Sequence, residues 1–174
     1  MENNIEVLIS EEALQKRIIE MAREIKEEFK DEEVVFCSVL KGAIFFTVDL
    51  MKRYDGDGRI NFVRVSSYVG ENSTGEITLK LPLKKEHVEG KNVIVVEDIV
   101  DTGRTFNFLM NYIKEFNPKC VKSCVLLDKP SRRIVPFKPD YTGFTIEDLF
   151  VIGYGLDYDE KYRNLPYIAY VKND

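Results

Sequence analysis

Residues 93–105 read Val93-Ile94-Val95-Val96-Glu97-Asp98-Ile99-Val100-Asp101-Thr102-Gly103-Arg104-Thr105. The β-branched run Val93 to Val96 has the composition of a strand buried on both faces. Two carboxylates follow it, then a third at Asp101, then a Thr-Gly-Arg-Thr turn. That turn opens a helix carrying Phe106, Leu109, Met110 and Ile113, which Asn117-Pro118 ends. Cys120 to Leu127 supplies the next strand, so strand, turn, helix and strand form one βαβ unit. Such units build right-handed crossovers and parallel sheets, whose ligands gather at the carboxyl ends of the strands.

The same grammar recurs upstream. Val34 to Leu40 reads as a strand, Lys41-Gly42-Ala43 as a turn, and Ile44, Phe45, Val48, Leu50 and Met51 as a helix. Earlier still, Leu14, Ile18, Met21, Ala22, Ile25 and Phe29 recur at helical spacing, with Ser10 as N-cap and Glu11 and Glu12 in the first turn. Arg59 to Ser66 alternates like a strand, and Tyr68 to Thr78 collects Gly, Asn, Ser and Thr as a loop does. Beyond Lys129, prolines 130, 136 and 139 mark an irregular excursion, before Phe150 to Ile152 and Tyr167 to Val171 read as strands. The fold class expected is α/β, a mostly parallel sheet flanked by helices. No repeat or linker divides the chain, so residues 1–174 are expected to form one domain.

Composition agrees. A chain of 174 residues, 44% apolar and 32% charged, buries about 70% of its unfolded surface and folds without disulfide or structural metal. Its three cysteines, Cys37, Cys120 and Cys124, lie in or beside apolar runs without C-x-x-C spacing, as reduced thiols of a cytoplasmic protein do. The start, MENNIEVLISEE, lacks the pattern of a secretory signal, and no apolar run reaches the length of a membrane helix. A formal charge of −5 argues against indiscriminate nucleic-acid binding, so neither nucleic acid nor membrane is an expected partner. The single histidine, His87, lies in a polar Lys-Lys-Glu-His stretch, which removes most support for zinc sites and histidine-based triads.

Two chemistries meet after Val96. A glycine turn at a helix N-terminus presents unpaired amides and the positive dipole end, and the hydroxyls of Thr102 and Thr105 add donors, so a phosphate monoester fits. Glu97 and Asp98 only accept when ionised, which suits vicinal hydroxyls or a hydrated Mg²⁺. Phosphate plus sugar is the natural ligand. Taken singly, Asp101 or Thr102 caps the helix and the acids are solvated at a strand end. Taken together, the acids and T-G-x-T between strand and helix describe a ribose 5-phosphate cradle. A Rossmann or P-loop nucleotide binder would instead need G-x-G-x-x-G or G-x-x-x-x-G-K-[ST], and neither is present.

Residues 93–105 resemble the 5-phosphoribosyl-1-pyrophosphate signature of the phosphoribosyltransferases. Leu40-Lys41-Gly42-Ala43, Ser66-Ser67-Tyr68, Leu127-Asp128-Lys129-Pro130 and Phe150 to Tyr158 (FVIGYGLDY) occur in the order seen in the hypoxanthine-guanine members, so the resemblance spans nearly the whole chain. It implies the type I fold with a small hood formed by the N- and C-terminal segments. It also implies transfer of the phosphoribosyl group to hypoxanthine or guanine, with Mg²⁺ as cofactor and a homodimer or homotetramer as the assembly. By this resemblance Glu97 and Asp98 hold the ribose hydroxyls and, with Asp157, the metal. Thr102, Gly103, Arg104 and Thr105 match the phosphate loop. Lys41, Gly42 and Arg163 would face pyrophosphate, although Ala43 stands where the family commonly has a second glycine. Lys129 would donate to the purine O6, Phe150 would stack on the ring, Val151 would offer backbone groups and Ile99 would cover the opposite face. Ser67 and Tyr68 would begin a closing lid. Asp101 would act as general acid/base, which chemistry supports independently: as N9 attacks C1′ the ring must lose a proton, and a carboxylate near N7 can take it.

Each residue also has a plainer reading. Lys41 and Lys129 would be solvated lysines, Arg163 a surface charge, Asp157 an exposed turn aspartate and Phe150 a core aromatic. Regulators that share the cradle but bind nucleic acid would need a basic surface or an added segment, and neither is evident in this acidic chain.

Overall fold

The computed structural model describes residues 5–67 and 77–172. After β1 (Ile5–Ile9), Ser10 Oγ accepts from the Ala13 N–H at 3.2 Å and starts α1 (Glu11–Phe29), whose buried stripe is the one the spacing predicts. The chain continues through β2 (Val34–Leu40), α2 (Ile44–Arg53), β3 (Gly58–Ser67), β4 (Ile77–Leu81), β5 (Asn92–Val100), α3 (Arg104–Lys114), β6 (Cys120–Asp128), β7 (Tyr141–Thr145), β8 (Val151–Ile152) and β9 (Ile168–Val171).

Six strands form the main sheet in the order β4-β3-β2-β5-β6-β7, parallel except where β4 runs against β3. Side-chain alternation divides its core. Val34, Phe36, Ile94, Val96 and Leu126 pack with α1 and with Phe46 and Leu50 of α2, while Val35, Cys37, Val93, Val95 and Val125 pack with Phe106, Leu109 and Ile113 of α3. Cys37 lies fully inside, and that burial pushes its thiol up to about 12, so it stays protonated and inert.

Strand β2 leads through α2 to β3 on one side, and neighbouring β5 leads through α3 to β6 on the other. Their exits diverge and leave a crevice between the two carboxyl ends, as at the switch point of an open α/β sheet. A second sheet, β1-β9-β8, is wholly antiparallel and joins segments from both ends of the sequence. Among the described residues no helix is long and apolar enough to cross a membrane.

Several expectations need correction. Strand β5 runs on to Val100, so Glu97 and Asp98 lie within it, because Glu97, Ile99 and Val100 keep pairing with β6. Helix α3 ends at Lys114, three residues before Asn117. Ile77 and Thr78 belong to β4, not to a loop, since Thr78 and Ile77 pair with Ser66 and Ser67. The proline-marked excursion contains β7, paired in parallel with β6. Phe150 precedes β8 and is 53% exposed, so it is not a core aromatic.

Candidate active site

Three segments close on the crevice. The turn Lys41-Gly42-Ala43 follows β2, with a cis Leu40–Lys41 peptide. It is braced from α2: Thr47 Oγ1 donates to the Ala43 carbonyl at 2.8 Å and pairs with Ser38 Oγ at 2.8 Å, all buried. A Cβ on Gly42 would run into the Asp98 carboxylate, and a Cβ on Gly155 (φ +101°) would run into the Gly42 carbonyl. Glycine at both positions therefore lets the Lys41 turn, the acids of β5 and the 153–157 loop lie in contact.

Glu97 is only 8% exposed, and burial, then the neighbouring Asp98, pushes its carboxyl well above the usual range. Burial also raises Asp98, whose Oδ1 accepts from the Ile99 N–H at 2.9 Å. Two such carboxyls rest best with a proton between them, or with donors or a cation supplied from outside.

Beyond β5, Gly103 (φ +81°) takes the N-cap position of α3 and has no side chain to cap it. Neither Asp101 nor Thr102 sits at the N-cap position, because the left-handed turn at Gly103 brings the chain into the helix, but Thr102 Oγ1 accepts from the Arg104 N–H at 3.4 Å. The Thr102 carbonyl instead accepts from the N–H groups of Ile134 and Val135 at 2.9 and 3.0 Å. The start of α3 borders a hollow of about 100 Å³ lined by Glu97, Asp101, Thr102, Gly103 and Thr105. Glu97 and Thr105 also border a larger hollow of about 450 Å³ lined by Lys41, Gly42, Asp98, Asp157 and Arg163. The candidate residues thus fall into two adjoining compartments that share a wall.

Asp101 Oδ1 accepts from Arg132 Nε at 3.0 Å, and Arg132 Nη1 reaches Asp148 Oδ2 at 3.4 Å. The other oxygen of Asp148 lies 3.7 Å from Lys129 Nζ, which also donates to the Leu149 carbonyl; Lys129 is buried. Arg133 braces the turn, pairing with Asp128 and donating to the Asp101 carbonyl at 3.0 Å. Phe150 stands edge-on to Tyr158 with ring centres 5.6 Å apart, beside buried Val151. Ile99 is partly buried against the core.

Arg163 Nη1 donates to the Gly155 carbonyl at 2.7 Å, and Nη2 lies 2.9 Å from Asp157 and 3.2 Å from Glu160. Lys41 Nζ pairs with Glu160 at 2.6 Å. Ser67 pairs with Ile77 at the end of β3, whereas Tyr68 lies outside the described residues. Sequence reasoning missed Arg132, Asp148 and Glu160, which carry no motif and enter the site only because folding brings them beside Asp101, Lys129 and Lys41.

The glycine turn opening α3 and the acids of β5 beside it lie within a stretch that a family model covers. The model of the phosphoribosyl transferase domain matches residues 7–159, and the chain belongs to that family. Its similarity is to the hypoxanthine-guanine branch. The hypoxanthine-guanine phosphoribosyltransferase of Bacillus subtilis (strain 168) is 43% identical over 99% of this chain and 96% of its own length. A crystal structure of a hypoxanthine-guanine phosphoribosyltransferase from Bacillus anthracis superposes with a TM-score of 0.91 at 46% identity, covering 96% of this chain and 98% of that one. The bifunctional protein TilS/HprT of Listeria monocytogenes serotype 4b is 47% identical over 99% of this chain, which spans 27% of that relative's length.

Proposed function

We propose that this protein transfers the 5-phosphoribosyl group from 5-phosphoribosyl-1-pyrophosphate to hypoxanthine or guanine, giving IMP or GMP and pyrophosphate in purine salvage. The observation that carries this reading is the shared wall: Glu97 and Thr105 border both the phosphate hollow and the hollow of Lys41 and Arg163. A sugar lying along that wall extends its 5′-phosphate one way and its 1-pyrophosphate the other.

In this reading the α3 amides and the hydroxyls of Thr102 and Thr105 hold the 5′-phosphate, with Gly103 and Arg104 in the same turn. Ribose hydroxyls donate to Glu97 and Asp98, adding donors beside the Ile99 N–H that Asp98 already accepts. Lys129 donates to the purine O6 and disfavours adenine, which presents an amino donor there. Phe150 offers an exposed ring face for stacking, Val151 backbone groups, and Ile99 apolar cover from the other side. As the N9–C1′ bond forms and the C1′–oxygen bond to pyrophosphate breaks, Asp101 takes the ring proton at N7, and its charge favours the cationic sugar. Lys41, Gly42 and Arg163 receive the departing pyrophosphate. The β1-β9-β8 sheet, which carries Val151, is the hood, and Ser67 and Tyr68 begin the lid that keeps water from the sugar cation.

Among the described residues no group of three or more His, Cys, Asp or Glu side chains is arranged to hold a metal. That is no objection to Mg²⁺, which keeps several waters and needs only one or two carboxylates beside substrate phosphates. Asp98, Glu97 and Asp157 line the hollow where those phosphates would lie, so the residues present fit it. When bound, Mg²⁺ would neutralise pyrophosphate and orient its oxygens. Free thiols at Cys37, Cys120 and Cys124 suit the reducing cytoplasm, and a homodimer or homotetramer is the proposed assembly.

The test incubates the protein with phosphoribosyl pyrophosphate, Mg²⁺ and hypoxanthine, guanine, xanthine or adenine, and measures nucleotide and pyrophosphate. IMP or GMP formation abolished by EDTA is expected. Absence of product from every 6-oxopurine would overturn the reading, and undiminished activity in EDTA would remove the metal from it.

A further inference from the structure

We propose that Glu160 is an internal stand-in for pyrophosphate, bridging Lys41 and Arg163 in the free protein and leaving when the phosphate anion arrives. The inference rests on reading Lys41 and Arg163 as the pyrophosphate cations. One oxygen of Glu160 lies 2.6 Å from Lys41 Nζ, and the other lies 3.2 Å from Arg163 Nη2. A single carboxylate thus spans two cations that come from opposite ends of the sequence, as a bridging phosphate would.

Its placement permits exchange. Tyr158 and Lys161 trade both backbone hydrogen bonds at 3.1 Å, so Asp159 and Glu160 form the tip of a two-residue turn, each with positive φ. The Glu160 side chain is 65% exposed, against 21% for Arg163. Arg163, in contrast, is anchored: the Gly155 carbonyl and Asp157 hold it, and Asp157 also accepts from the Glu160 N–H at 2.9 Å. Glu160 can therefore swing away while the guanidinium and Asp157 stay in place. Arg163 Nε is buried without an acceptor among the described residues, so the site holds donor capacity that Glu160 does not use.

The bridge does two things. It keeps two like charges facing one hollow without a ligand, and it competes with pyrophosphate for both, speeding release of that product. Apparent affinity falls by the fraction of protein in which the bridge is open.

Titration calorimetry of the full chain with magnesium pyrophosphate tests this. The variants are Glu160→Gln, Glu160→Asn, whose new residue tolerates positive φ, and Asp159→Asn as a control for general loss of negative charge. Melting curves establish that each is folded. Exposed ion pairs are individually weak, so both Glu160 variants are expected to bind about twofold to tenfold tighter than wild type, with Asp159→Asn shifting less. Wild-type binding that Glu160→Gln and Glu160→Asn leave unchanged, weaken, or strengthen no more than Asp159→Asn does would overturn the stand-in and leave the pyrophosphate site intact. No binding by wild type or any variant would sink both.

Discussion

Asp101 borders the smaller hollow with one oxygen held by Arg132, and Arg132 shares Asp148 with Lys129. The proposed proton acceptor and the proposed O6 donor are therefore tied through one carboxylate, and a purine spanning them would displace or join that bridge. Replacing Asp101 by Asn keeps the shape and hydrogen-bonding reach but removes the proton acceptor. Turnover is expected to fall about 10²- to 10⁴-fold while KM for phosphoribosyl pyrophosphate changes little. A near-wild-type rate in steady-state assays would take Asp101 out of the chemistry. Lys129→Ala should erase most of the preference for hypoxanthine over adenine, read as the ratio of kcat/KM for the two bases. Retention of a strong preference would assign O6 recognition elsewhere.

Gly155 links two of the segments that close on the crevice. Alanine there would need positive φ and would push its Cβ into the Gly42 carbonyl. Gly155→Ala is expected to cost about 1–3 kcal/mol in urea unfolding and to lower activity by moving the Lys41 turn, whereas an unchanged protein would show that the loops yield freely. Most elements were readable beforehand. α1 announced itself through Ser10 and its apolar stripe, and the β5 turn through Gly103 and its flanking threonines. Strand β7 was not readable, because it is short, contains Gly143 and follows three prolines, and it exists through its pairing with β6. Strand β4 alternates in ITLKL but begins inside a Gly/Ser/Thr-rich stretch that masks it. The candidate site divides in the same way. Contiguous residues such as Glu97 to Thr105 could be assigned from their order, while Glu160 opposite Lys41 depends on a contact between residues 119 positions apart, which no local pattern encodes.

The helix layer is fastened to the edge of the sheet by polar contacts. Glu28 of α1 accepts from the Tyr141 hydroxyl of β7 and pairs with Lys122 of β6 at 2.9 Å, and Arg17 donates to the carbonyls of Thr142 and Gly143 at 2.8 and 3.2 Å. The Tyr141 hydroxyl, then Lys122, holds the Glu28 carboxyl below its ordinary 4.5. A depressed carboxyl contributes stability above its unfolded value and loses it as pH falls through the folded value. Glu28→Gln should therefore unfold more easily at neutral pH by about 1 kcal/mol or less, given its exposure, with the gap closing below pH 4.5. Denaturant titrations at several pH values check this, and a gap that persists in acid would deny the carboxylate its part. In the smaller sheet, Ile5 of β1 lies directly across from Val171 of β9. Because β9 lies between β1 and β8, loss of β1 would bare a row of unpaired N–H and C=O groups along β9, an edge open to pairing with another chain.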